Sequence, residues 1–280
     1  MNNITDSELL QLIQTIRSVS TYDFSEYSDK SLKRRFIKIL MDYRISVSEL
    51  MRQLKTQQKF AEEIAKKITV NTTEMFRDPP AWFSLRGEVL PKLANRPVIR
   101  IWHAGCSTGQ EVYSMIILLN EMGLLEKSEL YASDLNTDVI DVAKQGVYKY
   151  KFNIGYLDNF DKVIRNDINN PLIIKNIPYE KYFEIDHVSD RLKIHDQFLK
   201  KPIFSKLDLV KDTNLFNVTF DLIMCRNVII YFNYGLQNKI FQLFHSNLHP
   251  SGFLMLGMHE SILGPFSTKF EKRGYYYAKK

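Results

Sequence analysis

Apolar positions recur along residues 1 to about 68 at the three-and-four spacing of amphipathic helices. Four runs read this way: "TDSELLQLIQTIRSVS", "SLKRRFIKILMDYR", "VSELMRQLK" and "QKFAEEIAKKI". In the second, Leu32, Phe36, Ile39, Leu40 and Tyr43 fall on one arc at about 100° per residue, with Lys30, Arg34 and Lys38 on the other side. Ser46 and Glu49 have the S-x-x-E spacing of a capping box, which predicts the start of the third helix. Phe60, Ile64 and Ile68 give the fourth its buried stripe.

From about residue 98 the pattern changes to short β-rich runs alternating with helical ones, which predicts βαβ units on a parallel sheet. "VIRIW" is the first strand, and Glu111 to Asn120 the helix after its loop. "ELYASD" is the second strand, ending in Asp134, and "TDVIDVAKQG" the next helix, closed by Gly146. "FDLIMC" is a later strand and "YGLQNKIFQLFHSNL" a helix, with "HPSG" a turn into the strand "FLMLGM". Residues 149 to 208 interrupt the alternation. They hold the Asn-rich "RNDINNPLIIKN" and the extended runs "EKYFEI" and "RLKIH", and so read as a small antiparallel insertion. The expected class is α/β, a doubly wound Rossmann-like sheet over 71 to 280, behind an all-helical domain over 1 to 70.

Composition narrows the function classes. The 280 residues are 45% hydrophobic and 25% charged, ordinary for a folded soluble protein. No stretch approaches the ~20 apolar residues of a membrane span, and "MNNITDSELLQLI" has no basic region ahead of an apolar one. A cytoplasmic protein without membrane insertion is expected. Cys106 and Cys225 are too few for a disulfide framework and lack zinc-ligand spacing, so both should be reduced core thiols. His245, His249 and His259 have no Cys or paired carboxylate at ligand spacing, so no metal is expected. The net charge of +6 is interleaved with acids, which argues against nucleic acid. One cluster departs from this: Lys30, Lys33, Arg34, Arg35 and Lys38 gather within the second helix.

The candidate chemistry lies in "IWHAGCSTGQEVYS", Ile101 to Ser114. A Gly-containing loop between a strand and a helix is a usual receiver of nucleotide-like ligands. No lysine follows Gly109, which excludes a P-loop, and the spacing G-x-x-x-G falls short of the dinucleotide G-x-G-x-x-G. A third class, S-adenosylmethionine binding on a doubly wound sheet, needs fewer glycines and an acid at the end of the second strand for the ribose hydroxyls. Asp134 stands there. A tight turn without a ligand stays open at this point. His103, between Trp102 and Ala104, reads as a hydrogen-bonded core histidine rather than a base.

Six segments in register carry a resemblance across nearly the whole chain: "NTTEMFRDP", "HAGCSTGQEVYS", "ASDLNTDVIDVAKQGVY", "FSKLDL", "FDLIMCRNVIIYF" and "LHPSGFLMLGMHESI". Together they resemble the chemotaxis receptor methyltransferases, the CheR family. The resemblance implies a helical N-terminal domain, an S-adenosylmethionine-binding domain and an inserted β-subdomain. It implies cofactor contacts from Asn71, Thr73 and Arg77, from Gly105 and Glu111, from Asp134, from Asp208 and Leu209, and from Arg226 and Asn227. Arg77 and Tyr231 match the residues nearest the methyl group and are the catalytic candidates. Gly105 stands where alanine is usual, Gln110 and Val112 replace Glu and Pro, and Asp208 replaces an asparagine, changes that bear on cofactor affinity.

The implied reaction moves a methyl group from S-adenosylmethionine to a receptor glutamate, giving a methyl ester and S-adenosylhomocysteine. The implied partners are the cytoplasmic methylation helices of chemotaxis receptors, docked on Lys30, Lys33, Arg34, Arg35 and Lys38 by a monomer. Two other readings stay beside it. One is a non-catalytic adenosyl-binding docking module, against which the joint presence of Arg77, Asn227 and Tyr231 argues. The other is a carboxyl methyltransferase for another protein or a small acid.

Overall fold

In the computed structural model, which describes residues 4–69, 71–167, 174–213 and 216–280 without the side chains of 152–154, the N-terminal apolar arcs fold as four helices. They are α1 (Asp6–Val19), α2 (Asp29–Tyr43), α3 (Val47–Thr56) and α4 (Gln58–Ile68). Their buried stripes include Leu9, Leu12 and Ile16; Leu32, Phe36, Ile39 and Leu40; Leu50 and Leu54; and Ala61, Ile64 and Ile68. A reciprocal capping box starts α1, with the Thr5 hydroxyl accepting from the Glu8 N–H and the Glu8 carboxylate accepting from that of Thr5. At α3 only half of the expected box forms. Ser46 Oγ accepts from the Glu49 N–H at 3.2 Å, while the Glu49 carboxylate takes the Arg52 guanidinium at 2.7 Å and the Gln53 amide. A charged donor is the stronger partner. This unit comprises Met1–Val70 with Ile229–Ile240. The second segment is held by the Ser28 N–H on the Tyr231 carbonyl at 2.8 Å and by edge-to-face packing of Tyr27 on Phe232.

The second unit, Asn71–Val228 with Phe241–Lys280, is built on strands. After α5 (Pro79–Ser84) and α6 (Leu90–Leu93) come β1 (Ile99–Ala104), α7 (Gln110–Glu121), β2 (Ser128–Asp134) and α8 (Thr137–Gln145). Next are β3 (Val147–Lys149), α9 (Tyr150–Phe160), β4 (Phe183–Asp186), β5 (Arg191–Ile194), α10 (Asp196–Leu199), β6 (Pro202–Lys206) and β7 (Phe220–Cys225). The chain ends with α11 (Tyr234–Asn247), of which 241–247 belong here, and with β8 (Leu248–Leu256), β9 (Phe270–Arg273) and β10 (Tyr276–Lys279). The large sheet has the order β6-β2-β1-β7-β8-β10-β9. β6, β2, β1, β7 and β8 pair in parallel, and β10 runs antiparallel to both β8 and β9. The chain goes outward from β1 through β2 to β6 and then returns to place β7 on the other side of β1. The strand order therefore reverses at β1, and ligands of open α/β sheets bind outside the carboxyl ends at such a point.

Strand alternation sorts the sheet into two faces. Ile99, Ile101, Leu130, Ala132, Leu222 and Met224 join one core with the apolar side of α7, among them Tyr113, Ile116 and Ile117. The intervening Trp102 turns to the opposite face, where its ring packs on Phe220 and on Phe244 of α11. His103 follows Trp102 in the alternation and returns to the α7 face.

Two expectations change. The stretch 149–208 is not one antiparallel insertion, because Pro202–Lys206 pairs in parallel with β2 as an edge of the large sheet. The small sheet is β3-β5-β4, which takes in Val147 and ends at Ile194. The partner of β6 lies some 70 residues earlier in the chain, so no local pattern marks it. Residues 168–173 of the Asn-rich run lie outside the described residues. Likewise "HPSG" is not a free turn but part of β8, with a register shift opposite Phe220 and Leu222. No helix among the described residues is long and apolar enough to cross a membrane.

The small sheet is tied to the glycine loop by the buried Tyr148, whose hydroxyl donates to the Thr108 carbonyl at 2.8 Å. Tyr148→Phe leaves that carbonyl without its donor and is expected to cost about 0.5–1.5 kcal/mol of stability, read as a lower urea midpoint at unchanged slope. An unshifted midpoint would show that the bond carries no net stability.

Candidate functional site

The loop after β1 is shaped by its glycines, though not in the way a ligand-approach reading expects. Gly105 has φ 80°, and a Cβ there would sit 2.5 Å from a γ-carbon of Val228. Gly109 has φ 90°, and its Cβ would meet that of Ala143 in α8 at 2.8 Å. Both positions demand glycine for conformation and for close packing inside the protein. Gly105 and Cys106 donate N–H groups to the Ser133 carbonyl, which draws the loop against the end of β2. There Asp134 accepts from the Ser107 N–H at 2.9 Å and from the Asn136 N–H at 3.0 Å, one on each carboxylate oxygen. Removal from water raises its carboxyl above the usual range, more than these backbone donors lower it. The Ser107 hydroxyl in turn donates to the Asn71 carbonyl at 3.0 Å.

Behind the loop lies Arg226, its side chain 2% exposed, directly after β7. One of its terminal nitrogens donates to Glu111 at 3.1 Å, and the other to the Arg77 carbonyl at 2.7 Å and to Asp78 at 2.9 Å. Trp82 also donates to the Arg77 carbonyl, at 3.0 Å. Arg77 is thus fixed through its backbone, between Phe76 (φ 49°) and Asp78 (φ 57°), two left-handed residues. The Phe76 N–H donates to Ser114 of α7 at 2.9 Å. Such strain persists where the surroundings over-determine it, as here. The other oxygen of Glu111 meets His103 Nδ1 at 2.9 Å. Burial opposes the charged form of Glu111, but the His103 hydrogen bond and the Arg226 charge outweigh it, so its carboxyl lies below the usual range.

Asn227 adopts φ 61° beside Gly257, whose added Cβ would lie 2.9 Å from the Asn227 nitrogen. Both their N–H groups donate to one oxygen of the buried Glu260, at 2.7 and 2.6 Å. Asp208 is buried and Leu209 half-buried in a tight turn, where one Asp208 oxygen accepts from the Val210 N–H. Thr73 is half-buried. The structure therefore gathers Asn71, Gly105, Glu111, Asp134, Arg226, Asn227 and the Arg77 backbone around the carboxyl ends of β1, β2 and β7. Tyr231 falls in the first unit, in the 3-10 turn Ile229–Tyr231. In that unit Lys30, Arg34 and Lys38 form an exposed stripe of α2, whereas Lys33 pairs with Asp6 and Arg35 is half-buried.

Sequence reasoning passed over three contributors: Asp78, the link of His103 to Glu111, and Glu260. Asp78 and Glu260 lay inside segments already quoted, "NTTEMFRDP" and "LHPSGFLMLGMHESI", but an acid in a motif does not reveal which backbone it holds. The residues present fit S-adenosylmethionine by their chemistry. Asp134 takes backbone N–H groups of Asn136, Ser107 and Leu135, and of its four acceptor positions one is left for a ribose hydroxyl. Arg226, Glu111 and Asp78 together bring one positive and two negative groups, so the cluster is one unit negative, which suits a ligand with a cationic end.

This fold, and the chemistry of these residues, suit an S-adenosylmethionine-dependent methyltransferase. The family model "CheR methyltransferase, SAM binding domain" matches residues 71–156 and 169–277. "Putative methyltransferase Cher3" of Pseudomonas putida is 37% identical over 95% of this chain and 93% of its own. Proteins named "Chemotaxis protein methyltransferase" from Borreliella burgdorferi and "Chemotaxis protein methyltransferase 1" from Vibrio cholerae are 28% and 27% identical, over 94% and 96% of this chain and 90% and 94% of theirs. The chain belongs to the CheR methyltransferase family.

The lowered Glu111 carboxyl has a pH consequence. Its contribution to stability is complete above the unfolded glutamate value near 4.3 and is lost as pH falls toward the lower folded value. Asp134 works with the opposite sign, since its raised carboxyl costs stability at neutral pH and is relieved on acidification. Glu111→Gln is therefore expected to flatten the loss of stability below about pH 4.3, measured by urea unfolding across pH. An equally steep acid loss in the mutant would remove Glu111 from the ionic network.

Proposed function

We propose that this protein methylates glutamate side chains of chemotaxis receptors, in the cytoplasm. Its membership of the CheR family carries the reading, through relatives named chemotaxis protein methyltransferases over more than nine-tenths of the chain. When bound, S-adenosylmethionine supplies an electrophilic methyl group on a sulfonium. Asp134 would hold the ribose hydroxyls, Glu111 with Arg226 and Asn227 the amino-acid end, and Asp208 with Leu209 the adenine. Asn71, Thr73 and Gly105 would complete the contacts.

A glutamate with a reference pKa of about 4.3 is already ionised at neutral pH, so the protein has no proton to remove. Its task is alignment and exclusion of water. Arg77 would steer the acceptor carboxylate. A tight bidentate pair would blunt the nucleophile, so an indirect contact serves better. Tyr231, a neutral phenol, would orient the same carboxylate, an assignment that rests on its sequence match alone. The exposed Lys30, Arg34 and Lys38 stripe on α2 is proposed as the docking face for acidic receptor helices.

The test is incubation with methyl-labelled S-adenosylmethionine and membranes carrying chemotaxis receptors. Base-labile label on receptor glutamates is expected. Asp134→Ala should weaken cofactor binding by about 1–3 kcal/mol and lower labelling at limiting cofactor. Cofactor binding without any base-labile label on receptors would overturn the substrate assignment.

A further inference from the structure

His103 opens the segment "HAGCSTGQEVYS" and stands near the end of β1, two residues before Gly105. Its side chain is 0% exposed. Alternation along β1 turns it to the α7 face, where Nδ1 lies 2.9 Å from Glu111 Oε1. A carboxylate only accepts, so Nδ1 carries the proton and donates. Nε2 is buried and without a hydrogen-bond partner among the described residues. The neutral tautomer protonated on Nδ1 fits both nitrogens, since an imidazolium would bury an unpaired N–H. Glu111 thus has one donor on each oxygen, His103 on Oε1 and Arg226 on Oε2, and half of its four acceptor positions remain unused. Arg226 divides its charge between Glu111 and Asp78 and cannot by itself fix the rotation of the Glu111 carboxylate.

We propose that His103 is a positioning residue for the cofactor: it locks Glu111 as an oriented anion, so that the unused lone pairs present a fixed negative site to a cationic ligand group. This rests on the assignment of Glu111 to the S-adenosylmethionine site. A neutral donor is suited to the task. It orients the carboxylate without cancelling the single negative charge left by Arg226, Glu111 and Asp78. A lysine or arginine at position 103 would neutralise that charge.

The variants separate donation from packing. His103→Asn can place an amide N–H where Nδ1 stands, His103→Gln moves the amide toward the Nε2 position, and His103→Leu keeps the bulk without a donor. By calorimetry, S-adenosylmethionine affinity should fall about 10-fold or more in His103→Leu and His103→Gln, the effect of losing a charge-assisted hydrogen bond. His103→Asn should stay within about threefold of wild type. The cofactor KM should rise in parallel, while kcat at saturating cofactor changes little. In a Glu111→Gln background, His103→Leu should add less than about twofold, because its effect passes through Glu111. Equal losses with and without Glu111, or wild-type affinity in both His103→Leu and His103→Gln, would overturn the proposal. If His103→Leu does not fold, His103→Gln against His103→Asn decides the same question. Failure of the wild type to bind S-adenosylmethionine would instead sink the underlying assignment of Glu111.

Discussion

A buried guanidinium needs fixed anions and carbonyls around it, and Arg226 finds them on two separate stretches of chain besides its own. Glu111 comes from the start of α7, Asp78 and the Arg77 carbonyl from the segment before α5, and Arg226 itself from the end of β7. Each stretch is thereby fixed relative to the other two. Removing Arg226 would leave Glu111 and Asp78 without their shared cation, a loss of several kcal/mol on the scale of such pairs. The placement of the loop, the strained Phe76–Asp78 backbone and the orientation of Glu111 all depend on this one buried cation.

The arrangement also explains how a sheet scaffold becomes a binding site. Strand order reverses at β1, and ligands of open α/β sheets bind outside the carboxyl ends of the strands at such a point. Glycine at 105 and 109 lets the first loop fold tightly against Val228 and Ala143. Asp134 is then presented by the end of β2 beside it. In the proposed methylation of a carboxylate the protein's part is geometric and electrostatic, because that reaction asks for no proton transfer to a side chain.

Much of this was legible in the sequence, and the reason differs by feature. The helices of the first unit follow from apolar periodicity, and the central strands from β-rich runs, because burial of one face is a local pattern. Asp134 could be placed because an acid ending the second strand has a known geometric role. The edge strand β6 could not, since its partner β2 is remote in the chain. The roles of Asp78, His103 and Glu260 were equally hidden. Each acts by holding another residue, and hydrogen bonds that span 8 positions from His103, 33 from Glu260 to Asn227 and 148 from Asp78 leave no spacing to read.

A crystal structure with S-adenosylhomocysteine bound tests the central claim most directly. The expected result is the ribose on Asp134 and the ammonium group on Glu111, with the Arg226, Glu111 and Asp78 contacts unchanged from those described. A ligand seated away from the carboxyl ends of β1 and β2, or a network that breaks and re-pairs on binding, would contradict the account.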